Sequence, residues 1–165
     1  FMKITFHGAA QTVTGSKHLI QLDNGKKILL DCGLFQGMGD QTLELNTHFG
    51  FVASEIDYVI LSHAHIDHSG LLPKLVKEGF QGSIFCTPAT VDLAQALLQD
   101  SAHIQEADIT FVNKRRAAQH LPPIKPLYSM ADALEVNERF VEVPYGNGIK
   151  LMNKFHFILP IQGIY

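Results

Sequence analysis

Asp57 to Ser69 reads D-Y-V-I-L-S-H-A-H-I-D-H-S, and the fold follows from this stretch. Its first five residues are a short, nearly continuous apolar run, the pattern of a strand buried on both faces. His63, His65, Asp67 and His68 then crowd into six residues. Beyond them Leu71, Leu72, Leu75 and Val76 fall at helical spacing, which predicts a helix from Ser69 or Gly70 to Glu78, and Gly79 is suited to end it. A buried strand, a polar loop and an amphipathic helix thus follow in order, with the polar cluster on the loop.

Neutral imidazole with carboxylate is the ligand set that suits zinc and related divalent cations. In an extended backbone His63 and His65 project to one side, while Asp67 and His68, after a turn, point at a second position, so one segment can serve two metals. A catalytic zinc takes three protein ligands and keeps one position for water, so further ligands must come from elsewhere. Two completed ions about 3.5–4 Å apart would bridge a hydroxide, lower its pKa and polarise the oxygen under attack, which is hydrolysis without a covalent intermediate. The competing reading is a polar loop whose histidines cap the next helix or satisfy buried backbone groups. Four ligands at this spacing, between a buried strand and a helix, favour the metal.

Outward from the cluster, Lys3 to His7, Lys17 to Asp23 and Lys26 to Asp31 read as strands, and Asn24-Gly25 predicts a type I′ hairpin turn. Downstream, Ser83 to Cys86 reads as a strand, and Thr87-Pro88 opens a long helix through about Val112. Asn113 to Pro126 is basic and then proline-rich, which predicts an exposed connection outside the helix. Ser129 to Leu134 reads as a short helix; Phe140 to Val143 and Ile149 to Phe157 read as strands about a turn at Pro144 to Gly148. Alternating strands and helices make the class α/β.

A chain of 165 residues with 46% apolar side chains is one domain with a real core. Thirteen basic against sixteen acidic side chains give a net charge of −3, without the broad positive field of a non-specific nucleic-acid binder. Any such contact must be local, and Lys114, Arg115 and Arg116 are the candidates to touch phosphates; the alternative is a solvated helix end complementing the helix dipole. Cys32 and Cys86 suggest neither a disulfide framework nor a thiolate zinc site, which fits a reducing compartment. With no long apolar run and a strand pattern at the start, no membrane partner is expected and the expected location is cytoplasmic. Phe1 precedes Met2, the plausible initiator, and is set aside. His103 and Glu106, one turn apart, are candidates to support the site or to face solvent; His7, His18, His48 and His120 are read as structural or exposed. Gly8, Gly15 and Gly33 are read as turn residues.

The run H-A-H-I-D-H, preceded by I-L-S and followed by S-G, resembles the signature of the metallo-β-lactamase superfamily, whose fold is an αβ/βα sandwich. Gly8 to Ser16 (G-A-A-Q-T-V-T-G-S), Ile28 to Gly37 (I-L-L-D-C-G-L-F-Q-G) and Asp100 to Glu106 (D-S-A-H-I-Q-E) together resemble its beta-CASP branch, RNA-processing nucleases related to the pre-mRNA 3′-end cleavage subunit. The resemblance runs from about Met2 to about Phe157. It implies that His63 and His65 hold a first zinc and Asp67 and His68 a second. Asp67 would lie close to the hydroxide nucleophile and so be catalytic, Asp31 would orient the metal-binding loop from outside the ligand set, and RNA would be the substrate.

The match also departs from the family. Where a third histidine is expected, just after a strand like Gly148 to Phe157, this chain reads I-L-P-I-Q-G from Ile158 to Gly163. His156, the one histidine of that region, is read as a packed strand residue. The later bridging aspartate, the cap domain and the final histidines would lie beyond Tyr165. Residues 2–165 are therefore expected to be the N-terminal half of the sandwich, with two zinc ions in the complete site and one or none here. A homodimer through exposed sandwich surface is expected to follow. Two alternatives stand beside a ribonuclease: another hydrolase of the superfamily, such as a thioesterase or lactamase, against which the D-S-A-H-I-Q-E helix and N-K-R-R argue, and a non-catalytic fold module or interaction domain.

Overall fold

The computed structural model describes the backbone of residues 1–152 and 155–158, and the side chains of residues 1–39 and 41–148. Alternating side chains set up an antiparallel meander of β1 (Lys3–Gly8), β2 (Lys17–Gln21) and β3 (Lys27–Leu30). To its inner edge the chain adds β4 (Tyr58–Ile60), β5 (Ser83–Cys86) and β6 (Phe140–Glu142), all parallel to β3, giving a six-stranded sheet in sequence order. Parallel strands need crossovers. Here these carry α1 (Thr42–Thr47), α2 (Ile66–Ser69), α3 (Leu72–Lys77), α4 (Pro88–Ala118) and α5 (Met130–Glu135).

Period-two alternation in the central strands places apolar side chains on both faces. Leu29, Val59, Leu61, Ile84 and Cys86 face one side, where Leu72, Leu75, Leu98 and Ala133 from the helices complete the main core. Ile28, Ile60 and Val143 belong to a second cluster with Ile20. At the margins of that second face Ile4, paired with Ile20, is 44% exposed and Val141, paired with Phe85, is 39% exposed. This apolar surface is therefore continuous with buried core and reaches both sheet edges.

Four local expectations are corrected. The β2–β3 turn is not type I′, because Gly25 has a positive φ of 83° and Asn24 does not. Leu22 pairs with Lys26 across the three residues Asp23 to Gly25, and Gly25 N donates to Leu22 O, so the loop is a type I turn with a bulge glycine. The helix expected from Ser69 begins at Ile66, breaks at Gly70–Leu71 and resumes as α3. The long helix runs on to Ala118 instead of stopping near Val112. Lys, Arg and Ala are good helix formers, and Asn113 secures the returning chain with paired bonds to Ile124 N and O, both 2.9 Å. Finally, Ile149 to Phe157 is two antiparallel strands, β7 (Gly148–Met152) and β8 (Phe155–Ile158), not one; the polar Asn153-Lys154 pair interrupts the apolar alternation. The His156 side chain and the positions after Ile158 where a third histidine was sought lie outside the described residues.

Candidate metal centre

β3 and β4 are parallel neighbours, so their C-terminal ends lie side by side, and the residues following each meet there. Asp31, directly after β3, is 4% exposed and has a φ of 59°. Asp is one of the few residue types that enters this left-handed region without large cost. The kink aims its carboxylate at the segment after β4: Oδ1 accepts from Ser62 N at 2.8 Å and Oδ2 from Ser62 Oγ at 3.0 Å. Oδ2 also accepts from Ser16 Oγ at 3.2 Å and lies 2.7 Å from His68 Nδ1.

These bonds fix which imidazole nitrogens are free. A carboxylate only accepts, so His68 Nδ1 carries the proton facing Asp31. Ser62 Oγ spends its proton on Asp31, so His63 Nδ1, 3.0 Å away, donates to that oxygen. Both rings therefore turn Nε2 away from Asp31. His63 Nε2 lies 3.2 Å from His65 Nδ1, and His68 Nε2 lies 3.6 Å from Asp67 Oδ2. The His63 and His68 rings are 4.0 Å apart between centroids. The hydrogen bond to Asp31 holds the His68 pKa above the ordinary imidazole value against the opposing pull of burial; burial, then the neighbouring His68 and His65, holds His63 below it.

The donor set can be tested against zinc. Two donors bound at about 2.05 Å to a tetrahedral zinc are about 3.3 Å apart. The His63–His65 and Asp67–His68 separations of 3.2 and 3.6 Å are close to such an edge. The four residues thus fit in kind and spacing, two corners to each position. Among the described residues no group of three or more His, Cys, Asp or Glu could hold a metal ion, so neither position gains a third protein donor.

The backbone beneath this cluster is clamped. Asp67 and His68 are in the single turn of α2, and their carbonyls accept from Ser16 N at 2.8 Å and Cys32 N at 2.7 Å; Gly33 N donates to Ser16 O at 2.9 Å. A Cβ on Gly33 would stand 1.7 Å from Asp67 O, so this glycine permits a backbone crossing rather than the turn expected of it. Ser16, Ser62 and Gly33 carry no ligand chemistry of their own, and their sequence signal is that they fall inside the stretches Gly8 to Ser16, I-L-S and Ile28 to Gly37 on which the family resemblance rests.

Other candidates fall elsewhere. Glu106 accepts from Met130 N at 3.0 Å and so anchors α5, and His103 is exposed beside it. Lys114 and Arg115 are exposed near the end of α4, whereas Arg116 Nε donates to Pro122 O at 2.7 Å; the described bonds tie none of the three to the histidine cluster. His7 packs edge-on against Phe51 and His18 against Phe6; His48 and His120 are exposed. A groove of about 620 Å³ between Leu34–Gly39 and Gln105–Ile109 is lined by none of the four candidate ligands.

The model of the metallo-beta-lactamase superfamily matches residues 14–147, a span that includes Asp31 and the whole His63–His68 segment. The chain belongs to the metallo-beta-lactamase superfamily. This superfamily chain is 42% identical over 126 residues to Ribonuclease TTHA0252 of Thermus thermophilus, covering 76% of this chain and 28% of the relative. It is 38% identical over 101 residues to Transcription termination factor FttA of Methanosarcina mazei, covering 61% and 16% respectively. It is 31% identical over 134 residues to Integrator complex subunit 11 of Danio rerio, covering 76% and 22%. The chain therefore spans about a quarter or less of the length of these relatives. The superfamily read from the histidine motif and the α/β class read from the alternation of strands and helices are borne out, and a ribonuclease among the relatives agrees with the RNA-processing branch the sequence resembles. Among the described residues no helix is long and apolar enough to cross a membrane.

Proposed function

We propose that this chain carries the metal-binding part of a phosphodiesterase that cuts RNA, of the beta-CASP type. The observation that carries the reading is the pair of donor edges, His63 Nε2 with His65 Nδ1 and Asp67 Oδ2 with His68 Nε2, built on a family in which a relative is a ribonuclease. In the complete site His63 and His65 would hold one zinc and Asp67 and His68 a second. When bound, such ions lower the pKa of water and polarise a phosphoryl oxygen. The chain's own contribution is orientation. Asp31 fixes the His68 tautomer directly and the His63 tautomer through Ser62, and Asp67 would lie close to the hydroxide nucleophile. Lys114 and Arg115 supply a local phosphate contact.

Residues 2–165 are read as part of a metallo-β-lactamase domain. Support comes from the share of the relatives that is covered and from the second sheet face, whose apolar margin at Ile4 and Val141 suits either further chain or a second copy. The test is cleavage of an end-labelled single-stranded RNA by this chain with added zinc or manganese. Metal-dependent cleavage lost on chelation and in Asp67→Asn supports the reading; cleavage that persists in both contradicts it.

A second reading, a fold module that binds metal without turning over RNA, is favoured by the two-donor limit at each position among the described residues. Metal binding with no cleavage, and a dimer on gel filtration, would select it.

A further inference from the structure

Lys17 is 1% exposed, yet no carboxylate lies within ion-pair distance of it among the described residues. Its ammonium donates to Gly15 O at 3.0 Å and Gly33 O at 2.7 Å and sits 4.2 Å above the Phe35 ring. The other buried lysine, Lys74, also lies over a ring, Phe49, but reaches the Glu78 carboxylate at 2.5 Å. A buried cation without a counter-charge is costly, and burial pushes the Lys17 pKa down to about 8.

What Lys17 joins is specific. Gly15 begins the Gly15–Ser16 strap whose Ser16 N grips Asp67 O, and Gly33 ends the Asp31–Gly33 strap whose Cys32 N grips His68 O. The two straps cross where Gly33 N meets Ser16 O, with Gly33 Cα packed against the Asp67 carbonyl. These hydrogen bonds grip the Asp67 and His68 carbonyls directly, whereas the His63–His65 segment is reached one step further on, through the Asp31 side chain and its bonds to Ser62 and through His65 O, which accepts from His68 N. We propose that Lys17 is a positioning residue for the second donor pair: by tying Gly15 to Gly33 it holds the two straps that set Asp67 against His68. The inference rests on reading His63, His65, Asp67 and His68 as metal ligands.

The test is a zinc titration of the metal-free chain, followed by NMR at the ring Cε1–H resonances of His65 and His68 separately, in the unmutated chain and in Lys17→Met. The expected result is a loss of affinity on the order of tenfold at His68, as for other groups supporting metal ligands, with a much smaller change at His65. Equal affinities in the two proteins, or equal losses at the two histidines, overturn it, since a general loosening of the fold would not distinguish the pairs. No zinc-dependent shift at either histidine in the unmutated chain overturns the ligand reading itself, and the inference with it. If Lys17→Met does not fold, Phe35→Leu, which removes the ring beneath the ammonium, decides by the same criterion with a smaller expected effect.

Discussion

Asp31 Oδ2 lies 2.7 Å from His68 Nδ1, and that contact directs His68 Nε2 toward Asp67 Oδ2. The same carboxylate oxygen receives the Ser62 hydroxyl proton, so one buried acid sets two imidazoles. Asp31→Asn preserves the backbone at φ 59° but replaces part of an acceptor with a donor. Its zinc affinity is expected to fall on the order of 10–100-fold, measured by competition with a chelating dye. Asp31→Ala should in addition lose about 1–2 kcal/mol through left-handed strain, read as a larger drop in the urea midpoint than for Asp31→Asn.

Gly33 and Gly37 separate close approach from backbone conformation. A Cβ at Gly33 would meet Asp67 O at 1.7 Å, whereas at Gly37, with φ 71°, nothing lies within 4 Å. Gly37→Ala is expected to cost about 1 kcal/mol with metal binding intact. Gly33→Ala must displace the Asp67 turn, so a larger loss, of at least about 2 kcal/mol, with weakened zinc binding is expected. Chemical denaturation of both variants checks this, and similar losses in the two would contradict the crossing.

The strand-loop-helix order around the histidines was legible because it rests on local pattern: the apolar run gives Tyr58–Ile60, and the Leu71–Val76 spacing gives α3. Tyr58 to Leu61 show both-face burial as expected, since Ile60 and Leu61 enter opposite clusters. What was not legible depends on contacts distant in sequence. Nothing near Lys17 in the chain marks it as buried, since the carbonyl of Gly33 that it binds is sixteen residues away. Gly33 looked like a turn because the crossing with Asp67 exists only once β3 and β4 pair. The end of α4 is hidden for a related reason: Asn113 resembles a helix stop until Ile124 returns to meet it.

Lys17 should also leave a mark on the pH dependence of stability. Its pKa is lowered from 10.5 to about 8 in the folded chain, so between those values the unfolded chain binds more protons. Stability therefore rises with pH across that window, by up to about 3 kcal/mol, as the buried charge is relieved. Below pH 8 both states are protonated and Lys17 contributes no slope. Denaturation midpoints measured from pH 7.5 to 10.5 should climb in the unmutated chain relative to Lys17→Met; parallel profiles would contradict the buried ammonium.

The basic residues at the end of α4 divide by their hydrogen bonds. Lys114 and Arg115 are exposed, while Arg116 is engaged with Pro122 O. Substituting Lys114 and Arg115 with alanine should weaken single-stranded RNA binding and reduce its salt slope by about 0.7 for each lost phosphate contact. Arg116→Ala should instead loosen the turn after α4 with little change in slope. Filter binding over a salt series distinguishes them.

The most direct measurement is zinc bound per chain after dialysis against excess zinc, in the unmutated chain, in His63→Ala/His65→Ala, in Asp67→Ala/His68→Ala and in the variant lacking all four side chains. The expected result is that each pair removes its own share of the metal, and that the fourfold variant retains none. Metal undiminished in the fourfold variant would contradict the reading of the two donor pairs as metal ligands.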